Sequence, residues 1–381
     1  MKKNICIFTS HYLPYLGGVE SYTYHLCREL IKNGNKVIVF TNNDMKLKTI
    51  EKMDGIPVIR IPCFNLMGGR YPIMKMDREF FRLWKKLRKI HFDLVVINTR
   101  FYPHTVLGAI FARIEKTKCI ILDHGTSHMT VEKPLADFLF ACVEHGITLV
   151  DRMLCKNYYG VSQACCKWLE HFHIRASGVL YNAVDAENIR IKAENPVRNF
   201  RKEYGIGTGE IVIAYVSRLI KEKGVYELLD AVDMMNEDLP IHLMIAGDGE
   251  EMEMVEKRQN YRIHALGRLS RDEVSALLGQ SEIFCFPTKY PEGFPTVVLE
   301  AAAAGCYVIT TNKGGSSELI RDNTYGRILE DIDKEELGRA IFYAVNHPAE
   351  RKEAARKAQK LVEECFTWKQ TAEKLEKLAE S

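Results

Sequence analysis

A chain of 381 residues, 46% hydrophobic and 27% charged, is too long for one ordinary domain, and its composition is that of a globular protein with two cores to bury. Net charge is only +3, but residues 1–182 carry 26 Lys and Arg against 15 Asp and Glu, a net +11, and the remainder is −8. That asymmetry points to an anionic surface or partner for the first half. Eleven cysteines form no CxxC pair and sit among apolar neighbours, which reads as reduced thiols of a cytosolic protein rather than a disulfide framework. The opening MKKNICIFTS reaches its apolar stretch at once and meets His11 and Pro14, so a first strand is expected rather than a signal peptide. No run of 18 apolar residues exists, and no transmembrane span is expected.

In chain order, Ile5–Thr9 reads as a buried strand, followed by the loop HYLPYLGGVE and a helix over Glu20–Lys32 that Asn33-Gly34 ends. Lys36–Thr41 is the next strand, completing a βαβ unit. Asp93–Asn98 and Cys119–Leu122 continue the alternation. The pattern restarts after Asn182: strands over Glu210–Val216, His242–Ala246, Arg262–Leu266, Ile283–Pro287 and Tyr307–Thr310, with a helix over Gly224–Met235. The expected domains are 1–182 and 183–366, each doubly wound α/β, with an amphipathic helix at Thr367–Ala379. Residues 75–92 interleave Phe80, Phe81, Trp84, Leu87 and Ile90 with six Lys and Arg besides Lys75. That spacing makes a helix with a basic face, suited either to anionic lipid headgroups or to ordinary core packing. Leu135–Val150, interrupted by Asp137, Glu144 and His145, lines an acceptor groove or is core.

The chemistry concentrates in Tyr290–Ala304, YPEGFPTVVLEAAAA, where Glu292 and Glu300 stand eight residues apart. Proline favours the first position of a helix, so a helix is expected to start near Pro295. Amides near Phe294 and Thr296 then face an anion, while Glu292 and Glu300 suit hydroxyls. Phosphates and hydroxyls together describe a nucleotide sugar. Other strand ends carry matching groups: Gly17-Gly18-Val19-Glu20, Asp123-His124-Gly125, Ser217-Arg218-Leu219 with Lys223-Gly224, Gly247-Asp248-Gly249, Gly267-Arg268, and Gly314-Gly315 with Glu318. Arg offers bidentate donors to a diphosphate and Lys a point charge. Asp331-Ile332-Asp333 spells D-x-D, but Asp333 precedes a helix and reads as its N-cap.

Taken in order, these motifs resemble those of the retaining GT-B glycosyltransferases of the group 1, or family 4, type; Ser217 stands where the family usually has glycine. The resemblance implies two Rossmann-like domains facing a central cleft, with the last helix (367–381) joining the first domain. The second domain would bind the nucleotide sugar and the first the acceptor. It implies transfer, with retention, of a hexose or N-acetylhexosamine from a nucleotide sugar, UDP-linked, to a saccharide acceptor. His124 would line the reaction centre, with His128 a weaker candidate. Arg218 and Lys223 would carry the diphosphate, Glu292 the sugar hydroxyls and Glu300 the ribose. Arg268 would meet the base, and Gly17, Gly18, Phe294, Pro295 and Thr296 the donor. No metal or cofactor is expected beyond the donor as co-substrate, and no nucleic acid. The basic helix suggests an acceptor linked to lipid, such as undecaprenyl diphosphate, at the inner face of the cell membrane in surface-polysaccharide synthesis. Two other readings share the architecture: a sugar-nucleotide epimerase, and a non-catalytic nucleotide-sugar-binding protein.

Overall fold

The computed structural model describes residues 2–131, 133–330 and 332–380, and the chain divides into two compact units, 1–182 with 368–381, and 183–367. In the first unit the strands are β1 (Asn4–Thr9), β2 (Lys36–Asn42), β3 (Ile50–Met53), β4 (Ile56–Ile61), β5 (Cys63–Leu66), β6 (Tyr71–Met74), β7 (Leu94–Asn98), β8 (Lys118–Asp123), β9 (Tyr158–Gly160) and β10 (Gly178–Val179). Its helices are α1 (Gly18–Lys32), α2 (Arg78–Leu87), α3 (Pro103–Glu115), α4 (Pro134–Leu154) and α5 (Gln163–Glu170). Eight strands form one sheet in the order β10-β9-β8-β7-β1-β2-β4-β3, parallel except for β3 on β4. Ile5, Cys6, Ile7 and Phe8 are fully buried, as a central parallel strand covered on both faces requires.

Helix α2 follows the core-packing alternative for the apolar residues of 75–92. Asp77 caps it through hydrogen bonds from the amides of Glu79 and Phe80. Phe80, Leu83 and Leu87 are buried, and Trp84 and Ile90 pack against the same core with Phe8, Phe40 and Phe111. The apolar stripe of 75–92 is therefore consumed by the unit's own interior. Phe81, 58% exposed, and Met76, just before the helix and 63% exposed, remain outside with the basic face, so this helix has no continuous apolar side left to insert into a bilayer.

The second unit holds α6 (Ala186–Glu194), α7 (Phe200–Glu203), β11 (Ile211–Val216), α8 (Val225–Asp233), β12 (Ile241–Ala246), α9 (Met252–Lys257), β13 (Ile263–Gly267), α10 (Arg271–Gly279) and β14 (Ile283–Phe286). It continues with α11 (Thr296–Ala303), β15 (Tyr307–Thr311), α12 (Ser316–Leu319), β16 (Arg327–Leu329), α13 (Lys334–Asn346) and α14 (Pro348–Cys365). Its six strands are all parallel, in the order β13-β12-β11-β14-β15-β16. Asp333 caps α13, its side chain accepting from the Glu336 amide; the D-x-D reading also involves Asp331, which lies outside the described residues. The last helix, α15 (Trp368–Leu378), belongs to the first unit: Trp368 meets the Tyr22 ring edge-on at 5.2 Å, and Asn35 Nδ2 donates to Glu376 Oε1 at 2.6 Å. All eleven cysteines are free thiols.

Candidate active site

Each sheet reverses its strand order once, and open α/β sheets bind ligands at the carboxyl ends of the strands flanking such a reversal. In the second unit the reversal lies between β11 and β14. The loop after β11 carries Arg218 and Lys223; the loop after β14 carries Glu292 and Phe294. These loops can approach because residue 224 is glycine: at φ 76° it has no Cβ, and one there would lie 2.0 Å from the Pro287 carbonyl oxygen. The Lys289 and Tyr290 amides both donate to the Glu222 carbonyl, at 2.7 and 3.1 Å. The Lys223 ammonium lies against the Glu292 carboxylate and 4.4 Å from the centre of the Tyr290 ring. Thr288 Oγ1 donates to the same carboxylate at 3.4 Å.

The sequence expectation gave Lys223 to a diphosphate alone. The structure pairs it with Glu292, so one of its three N–H groups is already engaged and it orients that carboxylate as well. Pro295 is the N-cap of α11 rather than its first residue, with φ −66° and ψ 113°, and the helix begins at Thr296. The first-turn amides of Thr296 and Val297 therefore have no carbonyl of a preceding turn to donate to. Glu300 is half-buried on the same helix; desolvation raises its carboxyl pKa, and the nearby Arg271 guanidinium opposes the rise. The Gly315 amide donates to the Gly293 carbonyl at 3.1 Å, seating the Gly314-Gly315 turn under the Glu292–Phe294 loop.

Arg218 and Arg268 are brought together. Both line a cavity of about 470 Å³ with Ser217, Gly247, Asp248 and Gly249, at the carboxyl ends of β11, β12 and β13. Both guanidinium groups are exposed, and neither forms an ion pair among the described residues. With Asp248 the only carboxylate in that lining, the cavity favours an anion. A larger cavity of about 780 Å³, lined by Tyr307, Arg327, Tyr343 and Arg351 among others, holds none of the expected site residues.

In the first unit the reversal lies between β1 and β7. Gly17 caps α1 in an extended conformation, and Gly18 opens the helix. The buried Glu20 folds back over this turn: its Oε2 would be 2.2 Å from a Cβ at position 17. A carboxylate thus lies over the helix start that was expected to face the donor. Asp44 pairs with His11 at 2.7 Å.

His124 follows β8, and its Nε2 lies 3.2 Å from Asn98 Oδ1. The hydrogen-bond chain fixes its tautomer. Thr23 Oγ1 donates to the Val19 carbonyl at 2.7 Å and accepts from Asn98 Nδ2 at 2.7 Å. Asn98 Oδ1 is then the acceptor, and His124 carries its proton on Nε2 and a lone pair on Nδ1. Desolvation holds this imidazole down at about pKa 3. Asn98 escaped sequence reasoning because it looks like the last residue of an apolar strand; its position at the end of a strand beside the reversal was the available signal. Arg271 and Tyr22, which meets the His124 ring edge-on at 4.9 Å, were missed likewise. His128 goes elsewhere: its Nδ1 pairs with Glu144 at 2.6 Å.

With this geometry in view, two family descriptions match the chain: Glycosyltransferase Family 4 over residues 16–188 and Glycosyl transferases group 1 over residues 196–361. The chain is a GT-B glycosyltransferase related to both families. An uncharacterized glycosyltransferase of Methanocaldococcus jannaschii, MJ1069, is 26% identical over all of this chain and 98% of its own length. The gpi3 component of the Schizosaccharomyces pombe phosphatidylinositol N-acetylglucosaminyltransferase is 24% identical over 97% of this chain and 79% of its own. Among solved structures, Anabaena HepE in complex with UDP superposes with a TM-score of 0.77 over the whole of both chains at 18% identity. The lipopolysaccharide-biosynthesis glycosyltransferase WaaG does so with 0.66, at 16% identity over 98% of this chain and 99% of its own. The GT-B fold thus holds for both halves, each a Rossmann-like unit.

Proposed function

We propose that this glycosyltransferase moves a hexose or N-acetylhexosamine, with retention, from a UDP-sugar to a lipid-linked saccharide acceptor. The observation that carries the reading is the cavity where Arg218 and Arg268 meet over the carboxyl ends of β11–β13, one loop away from the Lys223–Glu292 pair and the open start of α11. Two unengaged guanidinium groups and a helix start suit a nucleoside diphosphate. A lysine-held carboxylate suits the hydroxyls of a sugar attached to it. UDP and UDP-glucose complexes of HepE support uridine as the base. The phosphatidylinositol in the Schizosaccharomyces pombe relative's name, and WaaG's place in lipopolysaccharide synthesis, support a lipid-borne acceptor.

In this reading the bond from the anomeric carbon to the β-phosphate oxygen breaks and a bond to the acceptor oxygen forms on the same face. The acceptor's proton passes to the departing phosphate. Negative charge grows on the β-phosphate, so stabilisation there contributes most to the rate. Arg218, the two remaining donors of Lys223 and the Thr296 and Val297 amides do that work, and Phe294 and Pro295 shape the turn that presents them. Glu292 holds donor hydroxyls, Glu300 the ribose, and Arg268 the base. His124, held by Asn98, presents Nδ1 at the reaction centre. In the first unit the Gly17-Gly18 turn, with Glu20 beside it, suits hydroxyl groups of a sugar.

Arg218→Ala should lower kcat/KM by about 10²-fold or more, with UDP binding weakened, measured by UDP release and by calorimetry. Unchanged turnover would remove Arg218 from the site. Incubation with donor alone separates an epimerase: an epimerised donor without free UDP would replace the transferase reading with that one.

A further inference from the structure

Three histidines of the first unit converge on one point. His128 lies in the loop after β8, His145 on α4, and His171 just past α5. One ligating ring nitrogen from each lies within 4.8 Å of the other two. His128 Nε2 and His171 Nε2 are 3.1 Å apart. A tetrahedral zinc ion with Zn–N bonds of about 2.0–2.1 Å holds its ligand nitrogens about 3.3 Å apart. We propose that His128, His145 and His171 form a three-histidine site for a divalent transition-metal ion, with zinc the best chemical match and solvent at the fourth position.

The surroundings are those of a built ligand set. His128 Nδ1 sits 2.6 Å from Glu144 Oε2, which keeps the proton on Nδ1 and aims the Nε2 lone pair at the other two rings. A carboxylate on the far nitrogen of a metal-binding histidine is the usual orienting partner. Glu144 is only 3% exposed and is fixed in turn by Arg100 at 2.7 Å, whose own charge is shared with Asp123 at 3.0 Å. The Arg100 guanidinium is thereby balanced by two carboxylates and presents little net positive charge to a cation. The other two rings are held by aromatic neighbours. Trp168 stacks on His171 at 4.8 Å and 5° between planes, and Phe172 lies 4.7 Å from His145. His145 and His171 are exposed, so an ion has a path in.

A simple hydrogen bond between His128 and His171 would account for their closeness but not for the third ring directed at them. Bound metal would tie three pieces of chain together: the loop that follows His124, helix α4, and the turn after α5. The role is one of anchoring, and the transfer reaction needs no step through it.

The test uses the full chain without a polyhistidine tag, stripped with EDTA and titrated with zinc chloride by calorimetry, with cobalt(II) absorption reporting tetrahedral nitrogen coordination. One equivalent should bind with a dissociation constant of about 10 µM or tighter, and saturation should raise Tm. His145→Ala and His171→Ala, both surface positions, should each weaken binding by about 10-fold or more. No saturable binding of zinc would overturn the proposal. So would one-equivalent binding that survives both substitutions, which would place the ion on cysteine thiolates instead.

Discussion

At the scale of single residues, His124 is the side chain whose chemistry depends most on its surroundings. An ordinary histidine titrates near pH 6.5, but desolvation lowers this one to about 3. The folded state therefore keeps the ring neutral while the unfolded state takes up a proton below about pH 6.5, and the ring's contribution to stability is lost as pH falls from there towards 3. Activity should consequently show no ionisation of His124 between about pH 5 and 8 in a kcat/KM profile. A limb near pH 6.5 that disappears in His124→Gln would contradict the depressed value. Asn98 decides which nitrogen is presented. Its two hydrogen bonds, at 3.2 Å to His124 and 2.7 Å to Thr23, were not legible in the string DLVVIN because both partners come from other elements. Lys223 teaches the same lesson: the spacing after β11 offered a cation, but only folding shows that Glu292, 69 residues later, holds it.

At the scale of elements, the strand ends were readable and the loop approach between them was not. β1, β2, β7, β8, β11, β12, β14 and β15 fall within a residue or so of their expected limits, because short apolar runs bounded by turn residues have few other ways to be buried. The antiparallel β3–β4 and β5–β6 pairs went unseen: IEKM and CFNL are polar or exposed and carry little periodic signal. Position 247 shows how tightly the donor-side loops are packed. Gly247 has φ 149°, and a Cβ there would lie 1.8 Å from the Ser217 carbonyl oxygen. Gly247→Ala should therefore destabilise the second unit by about 3 kcal/mol or more and weaken UDP binding, since it displaces the loop that carries Arg218. Denaturant unfolding together with calorimetry would check this; wild-type stability and affinity would show that the loop yields without cost.

At the scale of the whole molecule, the question is where a lipid-borne acceptor would meet the protein. Among the described residues no helix is long and apolar enough to cross a membrane. The basic helix over 75–92 spends its apolar side in the core, but α4 does the opposite. Leu135, Phe138, Leu139, Val143, Leu149 and Met153 recur at helical spacing and are all exposed, Leu135 to 75% and Phe138 to 65%. An uncovered apolar stripe on a unit with excess positive charge is suited to an anionic lipid surface. Wild-type protein should float with vesicles containing anionic lipid, and a Phe138→Glu, Leu139→Glu double variant should float several-fold less. Equal flotation of the two would release α4 from this role, and no flotation by either would count against a lipid-linked acceptor.

What the sequence determined by itself was the repeated strand–loop–helix alternation and the kinds of group at each strand end, since both depend on local pattern and composition. Tertiary structure decided which of those groups are engaged and which are presented. Glu20 occupies the first helix start, Lys223 is shared with Glu292, Phe80 and Leu87 turn inward, and Phe138 turns outward. Those outcomes depend on side chains far apart in the chain competing for the same space and the same charges, and a local spacing contains no record of that competition.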